Sequence, residues 1–131
     1  MSEGRQLRMI ARQVTQVCFD HAVTLRLWQS DGEVTVRVAA RFALQYGGTL
    51  FDVDPDAREN TGAALSLLHT EVIDARATAE GTLLMRFDGG VLLSVAADES
   101  YEAWELVDST GARVVCTPGG ELVVTGEPWV S

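Results

Sequence analysis

Val23-Thr-Leu-Arg-Leu-Trp-Gln-Ser-Asp-Gly-Glu-Val-Thr-Val-Arg-Val-Ala-Ala40 alternates apolar and polar residues on either side of an Asp-Gly pair. Alternation places every second side chain on one face of an extended strand, and Asp-Gly tolerates the positive φ angles of a two-residue hairpin turn. With Asp31-Gly32 as that turn, Leu27 pairs with Val36, Leu25 with Val38 and Val23 with Ala40, so one face of the hairpin is wholly apolar. The other face sets Trp28 against Thr35 and Arg26 against Arg37. Two like charges directly opposed are unfavourable unless a carboxylate stands between them, so an acid is expected there. The stretch predicts antiparallel β structure with one buried face.

The same pattern recurs along the chain. Strands are expected near residues 13–20, 22–29, 33–40, 49–53, 70–78, 82–87, 91–97, 101–107, 112–117 and 121–125, with glycine-containing turns between most of them. A three-residue loop, Asp88-Gly89-Gly90, pairs Phe87 with Val91, Met85 with Leu93 and Leu83 with Val95; a two-residue loop would mix the faces. With Gly119-Gly120 as a two-residue loop, Val115 faces Val124 and Thr117 faces Leu122, while Cys116 faces Val123 on the other side. Trp104 and Leu106 join the first group, and Tyr101, Ala103 and Val107 the second. These last strands are apolar on both faces, and such a sheet must be covered on both.

One helix is expected. Asp54-Pro55 reads as a cap followed by a first helical residue, Asp56 and Glu59 suit the N-terminal end of the dipole, and Ala57, Thr61, Ala64, Leu65 and Leu68 recur at helical spacing. The expected fold class is therefore α+β: a mostly antiparallel β meander of about eight to ten short strands with one central helix packed on the sheet. Residues 1–131 read as a single domain, with 1–12 as a loose N-terminal segment and 126–131 as a tail.

Composition narrows the function classes. The chain has 131 residues, 47% of them hydrophobic and 22% charged, enough to bury a core without disulfides or a structural metal. No apolar run approaches the roughly 20 residues of a membrane-spanning helix, and the start Met1-Ser-Glu-Gly-Arg-Gln-Leu-Arg-Met-Ile10 lacks a hydrophobic secretion segment. A cytoplasmic location is expected, and two cysteines are too few for a secreted disulfide framework. Nineteen Asp and Glu oppose ten basic residues, all of them Arg, for a net charge of −9. That balance disfavours nucleic acid and anionic membrane surfaces as partners. It favours solubility, or fast steered association with a basic protein.

The candidate chemistry is thin. Asp52, Asp54 and Asp56 alternate like a calcium loop, but Ala57 stands where its sharp turn needs Gly and Ala63 where the closing bidentate Glu belongs. Cys18, His21, His69 and Cys116 supply zinc-ligating atoms without the paired spacing of a zinc site. Cys18 and His21 as a nucleophile pair, and Glu102 and Glu105 as an acid–base pair, meet one objection: residues three apart on a strand face oppositely. His69 fits the C-terminal end of the helix. No nucleophile elbow, phosphate-binding loop or metalloprotease helix is present. The expectation is a non-enzymatic domain without a cofactor.

The ending Tyr101-Glu-Ala-Trp104-Glu-Leu106, Gly111 and Cys116-Thr-Pro118-Gly119-Gly120-Glu121-Leu122 resembles a family of small bacterial domains of unknown function with a Tyr-x-x-Trp, Gly, Pro-Gly-Gly-Glu-Leu signature. The segment Phe51-Asp-Val-Asp-Pro55 is similar too, so the likeness spans most of the chain. The family carries over no catalytic residues. The C-terminal pattern is also loosely similar to immunity proteins that neutralise bacterial toxins. Three expectations follow. The first is a binding protein of immunity type whose acidic surface meets a basic partner. The second is a homodimeric module with Tyr101, Val107 and Val123 at its interface. The third is a small-ligand site where Trp28, Arg26 and Arg37 contact a partner or an anion.

Overall fold

A computed structural model describes residues 5–126. The alternating segments form twelve strands: β1 (Arg5–Gln6), β2 (Gln13–Phe19), β3 (Val23–Gln29), β4 (Gly32–Val38), β5 (Phe42–Tyr46), β6 (Thr49–Val53), β7 (Val72–Ala77), β8 (Leu83–Phe87), β9 (Val91–Val95), β10 (Trp104–Asp108), β11 (Arg113–Cys116) and β12 (Leu122–Thr125). They assemble into two six-stranded sheets, in the orders β1-β7-β8-β9-β5-β6 and β12-β11-β10-β4-β3-β2, with every pairing antiparallel. One hydrophobic core joins them, taking Leu25, Leu27 and Val36 from the second sheet and Leu44, Met85 and Leu93 from the first. At one corner β2 also bonds the segment leading into β7, through Val14 N–H to the Thr70 carbonyl and His69 N–H to the Val14 carbonyl, 2.8 Å each.

The architecture is all-β, which corrects the expected α+β class. In place of a central helix the described residues hold a single 3-10 helix, Thr61–Leu67. The reason is local. Asp54 does accept a hydrogen bond from Ala57 N–H at 3.2 Å, as a cap should. But the Asp54 and Glu59 backbones exchange two 3.0 Å hydrogen bonds, and Arg58 and Asn60 take left-handed φ angles of 58°, so the turn closes on itself before helix can propagate. In the helix that follows, three residues per turn align Ala64 with Leu67, and both are buried; Leu65 and Leu68, chosen on an α-helical period, face solvent. Ala57 is exposed as well, and His69 lies beyond the helix end with a φ of 69°.

Residues 5–12 are pinned and not loose. Arg5 and Gln6 pair with Ala77 and Arg76, and Leu7 and Met9 are buried. Residues 1–4, and the expected tail apart from Gly126, lie outside the described residues.

Two hairpin registers also differ from expectation. The turn after β3 is Ser30-Asp31, pairing Leu25 with Val36 and Leu27 with Val34. The shift is two residues, so the faces stand, but Arg26 now opposes Thr35 and Arg37 opposes Thr24. The β11–β12 turn has three residues, which places Val115 against Val123 and Cys116 against Leu122. Val114, Cys116, Trp104 and Leu106 therefore share the core face, and Glu105, Val107, Val115 and Val123 the outward one. The β8–β9 loop keeps the expected pairs, Phe87 with Val91, Met85 with Leu93 and Leu83 with Val95. Gly90 in this loop has a φ of 80° and no atom within 4 Å of where a Cβ would stand. Gly90→Val then carries at least the left-handed penalty of about 1–2 kcal/mol, raised by its β-branch. Urea unfolding should show it as a lower midpoint at constant slope; an unchanged midpoint would remove this account of the loop.

Candidate functional site

Strand register assembles the outward face of the second sheet in two rows. Across β2, β3, β4, β10, β11 and β12 the first reads Cys18, Thr24, Arg37, Glu105, Val115 and Val123. The second reads Gln16, Arg26, Thr35, Val107, Arg113 and Thr125. Trp28 projects from β3 beyond them, opposite Gln13 and Glu33, and is 53% exposed. Between the rows lies a basin of about 390 Å³ lined by Cys18, Asp20, Thr24, Arg26, Thr35, Arg37, Glu105 and Val107. The fold thus brings Arg26, Arg37 and Val107 together, with Val123 two strands away on the same face.

The basin is electrically committed. Arg26 Nη1 meets Glu33 Oε1 at 3.1 Å, Arg37 Nη1 meets Asp20 Oδ2 at 3.5 Å, and Arg113 Nε meets Glu105 Oε2 at 3.0 Å. The register removes the expected opposition of Arg26 and Arg37, and each has its own acid, Glu33 and Asp20, in place of one carboxylate between them. Asp20 accepts the Ala22 backbone N–H at 2.7 Å, and this bond, followed by Arg37 against the opposing effect of burial, lowers its pKa. Hydrogen bonding to Cys18 and then Glu33 raises that of Arg26. An anion entering the basin must displace Glu33 or Asp20 and approach Glu105, so the geometry gives little support to the expected anion site. Cys18 and Cys116 face opposite sides of the same sheet, four strands apart, roughly 19 Å at ordinary strand spacing. Both are free thiols.

Tyr101 lies elsewhere, in the connection between β9 and β10 and outside any strand, which separates it from Val107 and Val123. It is 48% exposed. Partial burial and then the carboxylates of Asp98, Asp54 and Asp56 push its phenol pKa up. Two loops meet here: the turn after β6, whose Asp56 also pairs with His21 Nδ1 at 3.4 Å, and residues 98–101, where Asp98 Oδ1 accepts Ser100 N–H at 2.7 Å. Glu99 and Glu102 beside them are exposed.

A larger cavity contains none of the candidate site residues named from the sequence. It holds about 600 Å³ between the Gln6–Arg12 segment, the β3–β4 turn and the β10–β11 turn. Arg12 lines it with only 8% exposure, donating to the Gly32 carbonyl at 3.0 Å and to Asp31 Oδ2 at 3.1 Å. Its Nε has no hydrogen-bond partner among the described residues. No local pattern marks this arginine apart from Arg5 and Arg8.

Among the described residues no helix is long and apolar enough to cross a membrane. Residues 6–126 match a family of unknown function, DUF6188. Neither a curated protein nor a solved structure matches the chain.

Proposed function

The chain belongs to DUF6188, a family of unknown function, and from its own surface we propose a non-catalytic binding domain that receives a basic protein at its Tyr101 end. The placement of Tyr101 carries this reading: a half-exposed aromatic ring stands in the joint field of Asp98, Asp54 and Asp56, drawn from two separate loops. Such a ring attracts an arginine or lysine both through its π face and through the carboxylates around it. Arg41 Nη2 meets Asp54 at 3.7 Å and His21 meets Asp56 at 3.4 Å, so part of that field is offset within the chain, while no ion pair among the described residues engages Asp98, Glu99 or Glu102. Arg12, Arg26, Arg37, Arg41, Arg76 and Arg113 are tied in ion pairs within the chain, leaving the excess of a −9 chain to solvent or a partner. The same mutual engagement in the basin beside Cys18 supports a binding role over a catalytic one.

An immunity-type role is the specific form of this proposal, with a toxin as the basic partner, for which electrostatic steering supplies speed of capture. Two free thiols support a reducing, cytoplasmic setting.

A photo-crosslinking phenylalanine analogue at Tyr101 tests the site in cells producing the chain. The expected product is one basic protein, absent when the analogue stands at Leu50 instead. With that partner purified, the triple change Asp56→Asn, Glu99→Gln, Glu102→Gln should slow association about tenfold at low salt and flatten its salt dependence. A neutral or acidic partner, or a rate indifferent to salt, would end the proposal.

A further inference from the structure

The two sheets present four edges, and three are guarded. β1 is two residues long and carries Arg5; β6 carries Asp52; β2 is bulged between Val14 and Gln16 and bonded to residues 69–70 at that bulge. These are the devices by which β proteins keep edges from pairing. β12, Leu122-Val-Val-Thr125, has none: no charge, no proline, no bulge, and no described strand paired on its outer side. Its hydrogen-bonding groups can be assigned. Thr117 N–H donates to the Glu121 carbonyl at 2.9 Å, so by antiparallel alternation Val123 and Thr125 bond inward to β11, and Leu122 and Val124 turn their N–H and C=O groups outward. Val123 is 49% exposed next to Val115, the end of an apolar run on the outward face.

We infer that β12 pairs antiparallel with β12 of a second copy of this chain, across a twofold axis at Val123, joining two six-stranded sheets into one. Residues directly opposite must share a face, which restricts a perpendicular twofold to registers centred on a single residue. Centring on Val124 would draw Gly126 into the ladder, and its φ of 87° is not extended. Centring on Val123 sets Val123 against Val123, Leu122 against Val124 and Glu121 against Thr125, with the outward groups of Leu122 and Val124 forming four hydrogen bonds. A second copy fits because the edge is self-complementary in charge. An uncharged strand meets an uncharged strand, and the two Glu121 side chains stand four residues apart, roughly 14 Å, beyond the screening length of about 8 Å at physiological salt. The bodies carry −9 each, so added salt must strengthen this association, opposite in sign to capture of a basic partner.

Sedimentation of the full chain at low and high salt, together with amide exchange, tests the pairing. The expected result is a dimer that tightens with salt, with protection at the Leu122 and Val124 amides rising with protein concentration. Val123→Lys should weaken dimerisation at least tenfold by opposing two cations at the axis. Val124→Pro should do the same by deleting an N–H that makes no bond to any described residue, while leaving the monomer folded. A strict monomer at high concentration, concentration-independent protection of those amides, or a dimer that both variants leave intact would each overturn the inference.

Discussion

Gly120→Ala should lower the melting temperature by about 10 °C or more, the largest effect expected from any single added methyl group in this chain. The β7–β8 turn of the first sheet and the β11–β12 turn of the second meet backbone to backbone. A Cβ on Gly120 would overlap the Glu80 carbonyl, and one on Gly81 would lie 2.5 Å from the Gly120 carbonyl oxygen. Main-chain atoms cannot swing aside as a side chain can, so the turns must separate or the sheets shift. The φ angles of 103° and 90° add the ordinary left-handed penalty, about 1–2 kcal/mol. Together these come to at least about 3 kcal/mol, the range of the more damaging single substitutions. Gly119→Ala is the control, because Gly119 shares a φ of 90° but has nothing within 4 Å of its missing Cβ. Calorimetry on both variants isolates the contact between turns; equal losses would mean that the close approach costs nothing.

The Gly120 contact also marks where sequence reading stops. Alternation located most strands, and it set the β8–β9 register because a loop one residue shorter puts Met85 and Leu93 on mixed faces. It could not detect the two-residue shift in the β3–β4 hairpin, which leaves Leu25, Leu27 and Val36 on the same face in either register. It failed by one residue at β11–β12, where Val114, Val115, Val123 and Val124 make both faces apolar and remove the test. β5 did carry a signal, Phe42 and Leu44 followed by the polar Gln45, hidden behind the run that begins at Ala39. β1 is too short to show any period. Parity within the β3–β4 hairpin put Trp28, Arg26 and Arg37 on one face, but their sharing it with Val107 and Val123 depends on the β4–β10 pairing of distant segments and was not legible. The acidic surroundings of Tyr101 and the cavity at Arg12 depend on segments far apart in the chain, and parity within one strand says nothing about them.

Trp104→Ala should cost about 3–5 kcal/mol, the range for deleting a large buried aromatic. Trp104 is 1% exposed on β10, inside the core that joins the sheets, and its Nε1–H donates to the Gly81 carbonyl at 2.9 Å. The Cys116 thiol donates to the same oxygen at 3.3 Å. Two groups from the second sheet thus hold one carbonyl of the first, at the turn that touches Gly120. Trp104→Phe separates volume from hydrogen bonding: it keeps most of the ring, leaves Gly81 with the weaker S–H donor, and should cost about 1–2 kcal/mol. The thiol adds a pH dependence. Burial pushes the Cys116 pKa above its ordinary value, so its contribution is fully present below the pKa of the unfolded thiol and lost as pH rises through the folded one. Melting temperatures of the parent and of Cys116→Ala should therefore converge above roughly pH 9, where the unfolded parent begins to lose its thiol proton and the variant has none to lose. An alkaline limb identical in parent and Cys116→Ala would show that folding does not bury Cys116 as a neutral thiol.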